Sequence, residues 1–435
     1  MPVEQPNILA EIDAHMIALK SASGKEKALL FEKMGDVYSR AEKYQKAEIC
    51  YKQAIDGGAE DVALIRKYIG ILEKTGQARK ALDFLETALP KAKDMPEKGL
   101  LILRKAYIKW HLSDYEDGRK NAELALQIIE PLSIKDKVMT EALADANNVL
   151  GLCLWELARY DRALERFQMA AKTYESIEDL KGVAKARNNL GLVYMQTGHL
   201  DEALKAYEGA IAADELDGGK FMFGHAHNNI GIIHMMRGNL DEAEKCFQIG
   251  NKTFAAQGFQ RGIHLAEINF LDLNLERGDY TKASPWGERA LKGFQGLKDD
   301  ARVAWVKTGL ARIAMAKGDI PQAERYAMEA VKGAERSRAR ENEGYALRVL
   351  GMVEDKKGDK TYAETLLRRS LEIFKAIGIE FEEARAMKEL ALFLKAKGES
   401  TESEKIAAEA RKIFIKLGVK LDLQRLDEGL AAKPA

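Results

Sequence analysis

The sequence predicts an all-α protein built from stacked helix–turn–helix repeats, and three observations support this fold class. Apolar residues fall at three- and four-residue spacing on both sides of Gly198, as in two amphipathic helices joined by a tight turn. The pattern returns one period later around Gly238, and it is also present upstream around Gly151 and Ala163. A fixed period of this size indicates a stacked-repeat architecture.

Small residues recur in three registers and define ten repeats. The first-helix position is large at Ile69 and Leu271 and small in the other repeats, at Gly35, Ala106, Gly151, Gly191, Gly231, Ala311, Gly351 and Ala391. Twelve and nineteen residues further along, every repeat again has Ala, Gly or Ser. Small side chains at these positions let two helices approach closely, so each unit is expected to be a tightly packed helical pair.

These registers resemble the tetratricopeptide repeat, over residues 30–415. The resemblance implies a right-handed superhelical solenoid of about ten repeats, with capping helices at both ends. The spacing of about 40 residues is longer than the commonest 34. It is similar to the variant found in spindle-orientation adaptors, kinesin light chains and bacterial peptide sensors.

Taken in order, the chain is expected to have four parts. Residues 1–30 form an N-terminal capping helix, 31–130 an irregular block of about three repeats, and 131–417 a regular block of about seven. Residues 418–435 form a C-terminal capping helix and a frayed tail. Pro131 cannot continue a helix interior, so a helix should end near Glu130 and form a seam between the two blocks.

Other prolines and glycines predict helix ends. Pro96 and Pro321 suit the first turn of a helix, and Asp319 offers an acidic cap before Pro321. Pro285 predicts that the second helix of the seventh repeat begins late. A left-handed residue is expected to end the first helix of seven repeats, at Gly76, Gly198, Gly238, Gly278, Gly318, Gly358 and Gly398.

Composition favours a cytoplasmic protein. The 68 basic and 68 acidic residues give no net charge to attract nucleic acid or an anionic membrane. Cys50, Cys153 and Cys246 lie far apart in apolar helical contexts, which predicts buried thiols in a reducing compartment. No apolar segment is long enough to predict a membrane span, and the N-terminus lacks the apolar run of a secretory signal.

No motif predicts catalysis, a metal site or a cofactor. Gly358-Asp359-Lys360-Thr361 lacks the further glycines of a phosphate-binding loop and is expected to be a repeat turn followed by a helix start. His225 and His227 point to different faces of a helix, and the other histidines are scattered. No histidine accompanies a plausible nucleophile in a strand–turn–helix context. The protein is therefore expected not to be an enzyme.

The predicted binding surface is a set of first-helix stripes at spacings of three and four residues. The resemblance implies that these stripes line the concave wall of the superhelix and bind a partner protein or peptide. The expected binding residues are Asn148, Trp155, Lys185, Asn188, Met195, Gln196, His225, Asn228, Met235, Trp305, Arg312, Tyr345, Arg348, Arg385 and Lys388.

Several interpretations of these stripes stay open. Asn148, Asn188 and Asn228 are expected to bind the backbone of an extended peptide, with Asn147, Asn189 and Asn229 holding the joint between repeats. The alternative is that all these amides are structural. The aromatic and methionine residues suit either adaptable recognition or core packing. The basic residues of the last repeats suggest an acidic ligand segment, unless nearby Glu382, Glu383 and Glu389 balance them.

Two functional hypotheses follow. The first is a non-enzymatic adaptor that binds a peptide or helical segment of another protein in the concave groove. The second is a regulator that changes its superhelix pitch when a signalling peptide binds and so switches partners. Such sensors usually carry an N-terminal effector domain, for which the segment before the first repeat is too short. An uncapped apolar face at either end would also allow self-association.

Overall fold

The all-α fold class and the helix–turn–helix repeats are confirmed. The computed structural model describes residues 5–41, 43–59, 61–133, 136–219 and 221–432, and these residues contain no strand. They form two compact units, Met1–Asp179 and Leu180–Ala435. No helix in the described ranges is long and apolar enough to cross a membrane.

The described residues of the first unit form nine α-helices and two short 3₁₀ turns. The helices are α1 (Gln5–Leu19), α2 (Gly24–Arg40), α3 (Tyr44–Asp56), α4 (Val62–Lys74), α5 (Ala78–Ala88), α6 (Met95–His111), α7 (Tyr115–Ile129), α8 (Lys137–Glu156) and α9 (Tyr160–Ser176). The 3₁₀ turns are Leu89–Lys91 and Glu130–Leu132. Consecutive helices pack against each other, and α2 to α9 form the first four repeats.

The second unit contains six further repeats and a last single helix. Its helices are α10 (Leu180–Gln196), α11 (Leu200–Leu216), α12 (Phe221–Met236), α13 (Leu240–Ala256), α14 (Gln260–Glu276), α15 (Tyr280–Gly296), α16 (Asp300–Ala316), α17 (Ile320–Ser337), α18 (Arg340–Lys357), α19 (Lys360–Ile377), α20 (Glu380–Lys397), α21 (Ser400–Leu417) and α22 (Lys420–Ala431). The helices α10, α12, α14, α16, α18 and α20 are the first helices of these repeats.

Within a repeat, the two helices meet where a first-helix glycine faces a large side chain sixteen residues later. A Cβ atom added to Gly191 would lie 2.5 Å from the Tyr207 ring, and one added to Gly231 would lie 2.5 Å from the Phe247 ring. Both rings are fully buried. The absence of a side chain at the glycine therefore makes room for an aromatic core residue in the facing helix.

In the seventh repeat, the large and the small residue at this crossing have exchanged helices. Its first helix carries Leu271 where the neighbouring repeats carry Gly231 and Ala311, and Gly287 occupies the facing position on α15. A Cβ added to Gly287 would lie 2.8 Å from Leu310 of α16 and 3.4 Å from Leu271. The large residue has changed helix, so the total volume at the crossing is conserved.

Most of the helix ends predicted from prolines and glycines are confirmed. The seven predicted turn glycines all have positive φ. Pro131 follows the end of α7 at Ile129, Pro96 lies in the first turn of α6, and Asp319 caps α17 by accepting a hydrogen bond from the Gln322 N–H. The segment from Gly358 to Thr361 is a repeat turn and the start of α19.

The expectation for Pro285 is wrong. The helix α15 begins at Tyr280, at the usual place for a second helix, and Pro285 lies inside it. Proline cannot donate a hydrogen bond to the carbonyl group of Thr281. The helix nevertheless begins at Tyr280 because Asp279 caps it, accepting a hydrogen bond from the Lys282 N–H at 3.0 Å.

The cysteines agree with the sequence prediction in part. Cys50 and Cys153 are buried, and burial raises the pKa of their thiols, to about 11 and about 12 respectively. Cys246 is half-buried rather than buried, although burial still raises the pKa of its thiol. Raised pKa values leave little thiolate at neutral pH.

The terminal helices are shorter than the segments assigned to them: α1 spans Gln5–Leu19 within 1–30, and α22 spans Lys420–Ala431 within 418–435. Their role as caps stays a prediction. Helix α1 packs on α2, and Arg40 on α2 forms an ion pair with Glu11. Helix α22 packs on α20 and α21 and places Leu426 in the core. Of the frayed tail predicted for residues 431–435, Ala431 is the last residue of α22, and residues 433–435 lie outside the described residues.

The division between the two units does not coincide with the seam expected at Pro131. It falls between Asp179 and Leu180. Across Pro131, α8 packs on both α6 and α7, so the proline ends a helix without interrupting the stack. The assignment of residues 31–130 and 131–417 to two blocks therefore stays a prediction from repeat spacing.

The second unit closes on itself. A Cβ added to Gly198, in the turn of its first repeat, would lie 2.8 Å from Leu417 at the end of α21. Gly238, in the next turn, lies close to Leu421 of α22 in the same way. One buried core joins residues of α11 and α12 to residues of α20, α21 and α22. The concave side of this unit is therefore partly enclosed.

Candidate functional site

The first helices of the six repeats in the second unit surround a cavity of about 230 Å³, here called the central cavity. One part of its wall is apolar and rich in methionine, formed by Met195, Ile232, Met235, Met236, Trp305, Tyr345, Val349, Met352, Ile379 and Phe381. The rest is polar or charged, formed by Gln196, Asn269, Asp272, Glu276, Thr308, Arg312, Glu341, Arg348, Glu382, Arg385, Lys388, Glu389 and Arg425.

Many of the residues predicted from the first-helix stripes line this cavity together. They are Met195, Gln196, Met235, Trp305, Arg312, Tyr345, Arg348, Arg385 and Lys388. Each occupies the stripe position expected from its repeat register. Their side chains come from α10, α12, α16, α18 and α20, so residues as far apart as Met195 and Lys388 share one wall.

The predicted asparagines lie elsewhere. Asn148 has 0% of its surface exposed, which contradicts its placement on an open wall. Asn188 and Asn228 are buried between repeats: the Asn229 Nδ2 donates to the Asn188 Oδ1 at 3.2 Å, and the Asn269 Nδ2 donates to the Asn228 Oδ1 at 2.6 Å. Each joint therefore uses the side-chain oxygen of one repeat and the amide of the next.

The expected division of labour within the asparagine pairs is confirmed for Asn229, which holds a joint, and is wrong for Asn188 and Asn228. Asn188 and Asn228 were expected to face the groove, but their side-chain oxygens hold the joint, together with the second asparagine of the following repeat. A buried amide left without a partner costs about 1–3 kcal/mol, which explains why amides occur in matched pairs across a joint.

Three further predicted residues lie away from the central cavity. His225 packs against the rings of Phe254 and Phe259, and burial lowers its pKa to about 4. Lys185 on α10 is half-buried and does not line the cavity. Trp155 belongs to the first unit.

The stripe predictions missed the acidic side of the cavity. Asp272 and Glu276 lie on α14, one repeat after Ile232 and Met236, so extending the same register by one repeat would have found them. The large Leu271 obscured the pattern in that repeat. Arg425 lies on the last helix, and no repeat register predicts that it reaches the cavity.

Glu276 is the centre of the charged wall. Three guanidinium groups approach its carboxylate: those of Arg312 at 3.4 Å, Arg385 at 3.1 Å and Arg425 at 2.5 Å. Burial alone would raise the pKa of Glu276, but Arg385, Arg312 and Arg425 outweigh it and hold the pKa well below its usual range. Arg425 also donates to the backbone carbonyl of Glu276.

A second buried carboxylate, Asp422 on α22, engages the basic residues of α20. It accepts from the Arg385 Nε at 3.0 Å and from the Lys388 Nζ at 2.7 Å. Burial raises its pKa, yet Arg385 and Lys388 together lower it to about 2. Nearby, the Arg348 Nη1 donates to Glu382 at 2.8 Å. The basic groups of the last repeats are therefore neutralised by the protein's own carboxylates.

Asp272 is held differently. Its Oδ2 accepts a hydrogen bond from the Trp305 Nε1 at 3.0 Å, and Trp305 in turn packs on the ring of Tyr345. No basic side chain of the described residues lies within ion-pair distance of Asp272. Burial raises its pKa to about 6, although the Trp305 hydrogen bond and the charges of Arg312 and Arg385 act in the opposite direction.

Three family models match the chain, and all are described as tetratricopeptide repeat. The first matches residues 142–215 and 302–376, the second 188–250 and the third 30–56. A search of the curated proteins found no match.

Several solved structures have a similar fold. A Rap protein complexed with Competence and Sporulation Factor is 16% identical, with a TM-score of 0.58 over 81% of this chain and 99% of that one. The Rap conjugation gene regulator of the plasmid pLS20, in complex with the Phr* peptide, is 13% identical, with a TM-score of 0.57 over 86% and 97%. Aspartyl phosphate phosphatase F from Bacillus subtilis is 14% identical, with a TM-score of 0.54 over 77% and 95%. At these identities the likeness concerns the fold alone.

Proposed function

The chain is a tetratricopeptide-repeat protein of the longer repeat spacing, and on this basis we propose that it is a non-enzymatic interaction scaffold. Its ligand is a peptide segment of a partner protein, and the binding site is the central cavity. The observation that carries this proposal is the convergence of first-helix side chains from six consecutive repeats on one cavity.

The chemistry of the wall suits a peptide. Methionine side chains are flexible and polarisable and adapt to different apolar partners, and Trp305 and Tyr345 add rigid aromatic surface. The amide of Gln196 and the side-chain oxygens of Asn269 and Thr308 provide hydrogen-bonding groups beside the apolar wall. This combination of apolar surface with a few fixed polar groups is typical of ligand sites.

The size of the cavity favours a short, extended segment over a helix. A helix with its side chains is about 10–12 Å across, whereas the cavity volume is about 230 Å³. This volume is below the roughly 300–1,000 Å³ of most small-molecule sites, so it admits a few side chains of a segment. Two of the structures with a similar fold are complexes, one with the Phr* peptide and the other with Competence and Sporulation Factor.

The acidic ligand suggested by the basic residues of the last repeats is not favoured. Arg348, Arg385 and Lys388 are each engaged by Glu382 or Asp422. An incoming carboxylate would have to displace a buried internal one, which costs more than binding to a free arginine.

The proposal is tested by site-specific photo-crosslinking in the native cell. A photoreactive residue at Met352, inside the cavity, is expected to capture a partner peptide. The same residue at Ile249 is the control, because Ile249 lies on the second helix α13 and is 39% exposed. Crosslinked peptides are identified by mass spectrometry, and capture from Ile249 alone would contradict the proposal.

A matched pair of variants then measures the affinity for the captured peptide. Met235→Glu places a charge in the apolar wall and is expected to weaken binding at least about tenfold, because an ionised group would be desolvated beside the ligand. Ile249→Glu, in the same repeat, should leave binding unchanged. Equal affinities of Met235→Glu and the unaltered protein would refute a cavity site.

A second candidate function is a peptide-responsive regulator. It is favoured by the contact between Arg425 on α22 and Glu276 on α14, because a ligand that competes for Glu276 would release the last helix. Small-angle scattering with and without the captured peptide separates the two functions. Superimposable scattering curves would support the scaffold and exclude the regulator.

Self-association stays a prediction, as does the absence of nucleic-acid and membrane partners. Met16 and Ile17 on α1 have 52% and 68% of their surface exposed, which is an apolar surface at one end of the first unit. Light scattering on the purified protein over a range of concentrations measures the oligomeric state directly.

A further inference from the structure

We propose that Asp272 is a subsite for a cationic group of the bound segment, an ammonium or guanidinium group that enters the central cavity and pairs with the free side of this carboxylate beside Trp305. This inference rests on the proposed function, since it names the chemistry that the cavity selects. It concerns one end of the ligand and leaves the apolar wall to bind the rest.

The first argument is the pairing of charges. Five basic side chains line or reach the cavity, and Glu276, Glu382, Glu389 and Asp422 engage them at ion-pair distances. Asp272 also lines the cavity, but it lies within ion-pair distance of none of these five basic groups. A cationic group of the ligand could therefore pair with Asp272 without displacing an internal ion pair.

The second argument is the geometry of Asp272. The Trp305 Nε1 donates to one oxygen and fixes the plane of the carboxyl group. The other oxygen, Oδ1, has no hydrogen-bond partner among the described residues. A carboxylate with a fixed orientation and a free oxygen facing a cavity is ready to accept a charge-assisted hydrogen bond, which is about twice as strong as a neutral one.

The third argument is the aromatic surface beside this carboxylate. Trp305 and Tyr345 both line the cavity, with ring centroids 4.7 Å apart. Arg348 occupies one face of Tyr345, whereas no basic group of the described residues is stacked on Trp305. Indole is the best aromatic partner for a cation, so carboxylate and ring favour the same ligand group.

The protonation of Asp272 makes binding of this cation depend on pH. The charged groups facing Asp272 are Glu276 on its own helix, Arg312 on α16 and Arg385 on α20, with Arg425 of α22 beyond Glu276, while α12 contributes only methionine and isoleucine side chains to the cavity wall. Because burial raises the pKa of Asp272 to about 6, the carboxylate is ionised above that pH and mostly protonated below it. Cation binding should therefore strengthen as the pH rises through about 6.

The experiment uses single-residue probes and the full chain. Acetyl-arginine amide and acetyl-lysine amide carry a side-chain cation, leucine amide carries a terminal amine, and acetyl-citrulline amide is the neutral analogue. The readout is the indole N–H signal of Trp305 in protein labelled with ¹⁵N-tryptophan, assigned with Trp305→Phe among the four tryptophans. At least one cationic probe is expected to shift this signal at pH 7.5, and the citrulline probe is expected not to.

Variants give the decisive comparison. Asp272→Asn keeps an acceptor for Trp305 but removes the charge, and it should weaken binding of the cationic probe at least about tenfold. Asp241→Asn, whose side chain is 90% exposed, is the matched control and should bind normally. If Asp272→Asn does not fold, the pH series on the unaltered protein decides, with weaker binding expected at pH 5 than at pH 7.5.

Equal binding of arginine and citrulline probes, an unchanged affinity in Asp272→Asn, or an affinity independent of pH would each overturn the subsite. Comparison of the three cationic probes shows which source of the cation the site prefers. The outcome is distinct from that of photo-crosslinking at Met352. Peptide capture at Met352 without a preference for cationic probes would support the scaffold and reject the subsite. Selective binding of cationic probes without peptide capture would support the subsite and contradict the scaffold.

Discussion

Asn228 shows how one side-chain position can serve the repeat stack rather than the ligand. The same position in successive repeats is occupied by Asn188, Asn228, Thr308, Arg348 and Lys388, with Ile268 between the second and third. At Asn188 and Asn228 it forms amide pairs with the next repeat, and at Arg348 and Lys388 it forms ion pairs with Glu382 and Asp422. One register therefore holds the joints by hydrogen bonds at one end of the second unit and by charges at the other.

We expect Asn228→Ala to lower the free energy of unfolding by about 1–3 kcal/mol, since it leaves the buried Asn269 amide without its acceptor. Urea denaturation followed by circular dichroism measures this loss. Asn239→Ala is the control, because Asn239 lies in the turn of the same repeat, is exposed and makes no cap hydrogen bond with its side chain. If both variants unfold at the same urea concentration, the amide pair contributes nothing to the joint.

At the scale of single residues, the sequence predicted which positions lie on the first-helix stripes but not what each side chain would do there. Met235 and Arg385 line the cavity as expected, and Asn228, on the same stripe, is buried in a joint. A helical register predicts the direction of a side chain to within about one face. Whether that face meets a cavity or the next repeat depends on the angle between repeats, which no local pattern contains.

The helical hairpin is the structural element that repeats. The distance between its two helices depends on the side-chain volume at the point where they cross. Gly191 faces Tyr207, and Gly231 faces Phe247, each sixteen residues apart. In the seventh repeat the pair is Leu271 and Gly287, so large and small have changed sides. Complementary volume, rather than a particular residue at a particular position, is what the hairpin requires.

The substitution Gly191→Ala tests this requirement. The added methyl group would lie 2.5 Å from the buried ring of Tyr207, so the helices must separate, and a loss of about 1–3 kcal/mol in unfolding free energy is expected. At Gly296 an added Cβ meets no atom within 4 Å, and Gly296→Ala should be neutral or slightly stabilising. Thermal and urea unfolding of the two variants make the comparison, and a loss that is the same in both would contradict the packing explanation.

Helix boundaries were the most predictable elements because their causes are local. Pro96, Pro131 and Pro321 act through the missing N–H group and the fixed φ of proline, which operate within one turn. Pro285 was the exception. Its effect is opposed by the cap at Asp279 and by packing of the α15 helix on its neighbours, and sequence alone does not weigh a local penalty against tertiary contacts.

At the scale of the whole molecule, the repeats account for the stack but not for the closure of the second unit. Leu417 reaches the turn at Gly198, and Arg425 reaches Glu276, 149 residues earlier in the chain. Closure depends on small rotations accumulated over six repeats, so it could not be predicted from any one of them. For the same reason the sequence indicated an open groove where the structure has a partly enclosed cavity.

Arg425→Ala should weaken this closure. It removes one of the three cations around Glu276 and both hydrogen bonds between α22 and α14, so faster hydrogen exchange is expected in residues 420–431 and 270–278, with a lower melting temperature. Arg411→Ala is the control, since Arg411 on α21 forms an exposed ion pair with Asp427 on α22. Exchange rates that change equally in both variants would show that Arg425 has no special role.

The contact between Glu276 and Arg425 also has a consequence for how the second unit folds. A linear array of repeats has low contact order, because each helix can pack as soon as its neighbour leaves the ribosome. Here Glu276 cannot pair with Arg425 until the last helix has been synthesised. Nascent chains therefore pass through a state in which the early repeats are formed but the contact between α14 and α22 is missing. That state presents the methionine-rich wall to solvent, and chains truncated before residue 420 should therefore depend more on chaperones than the full-length protein does.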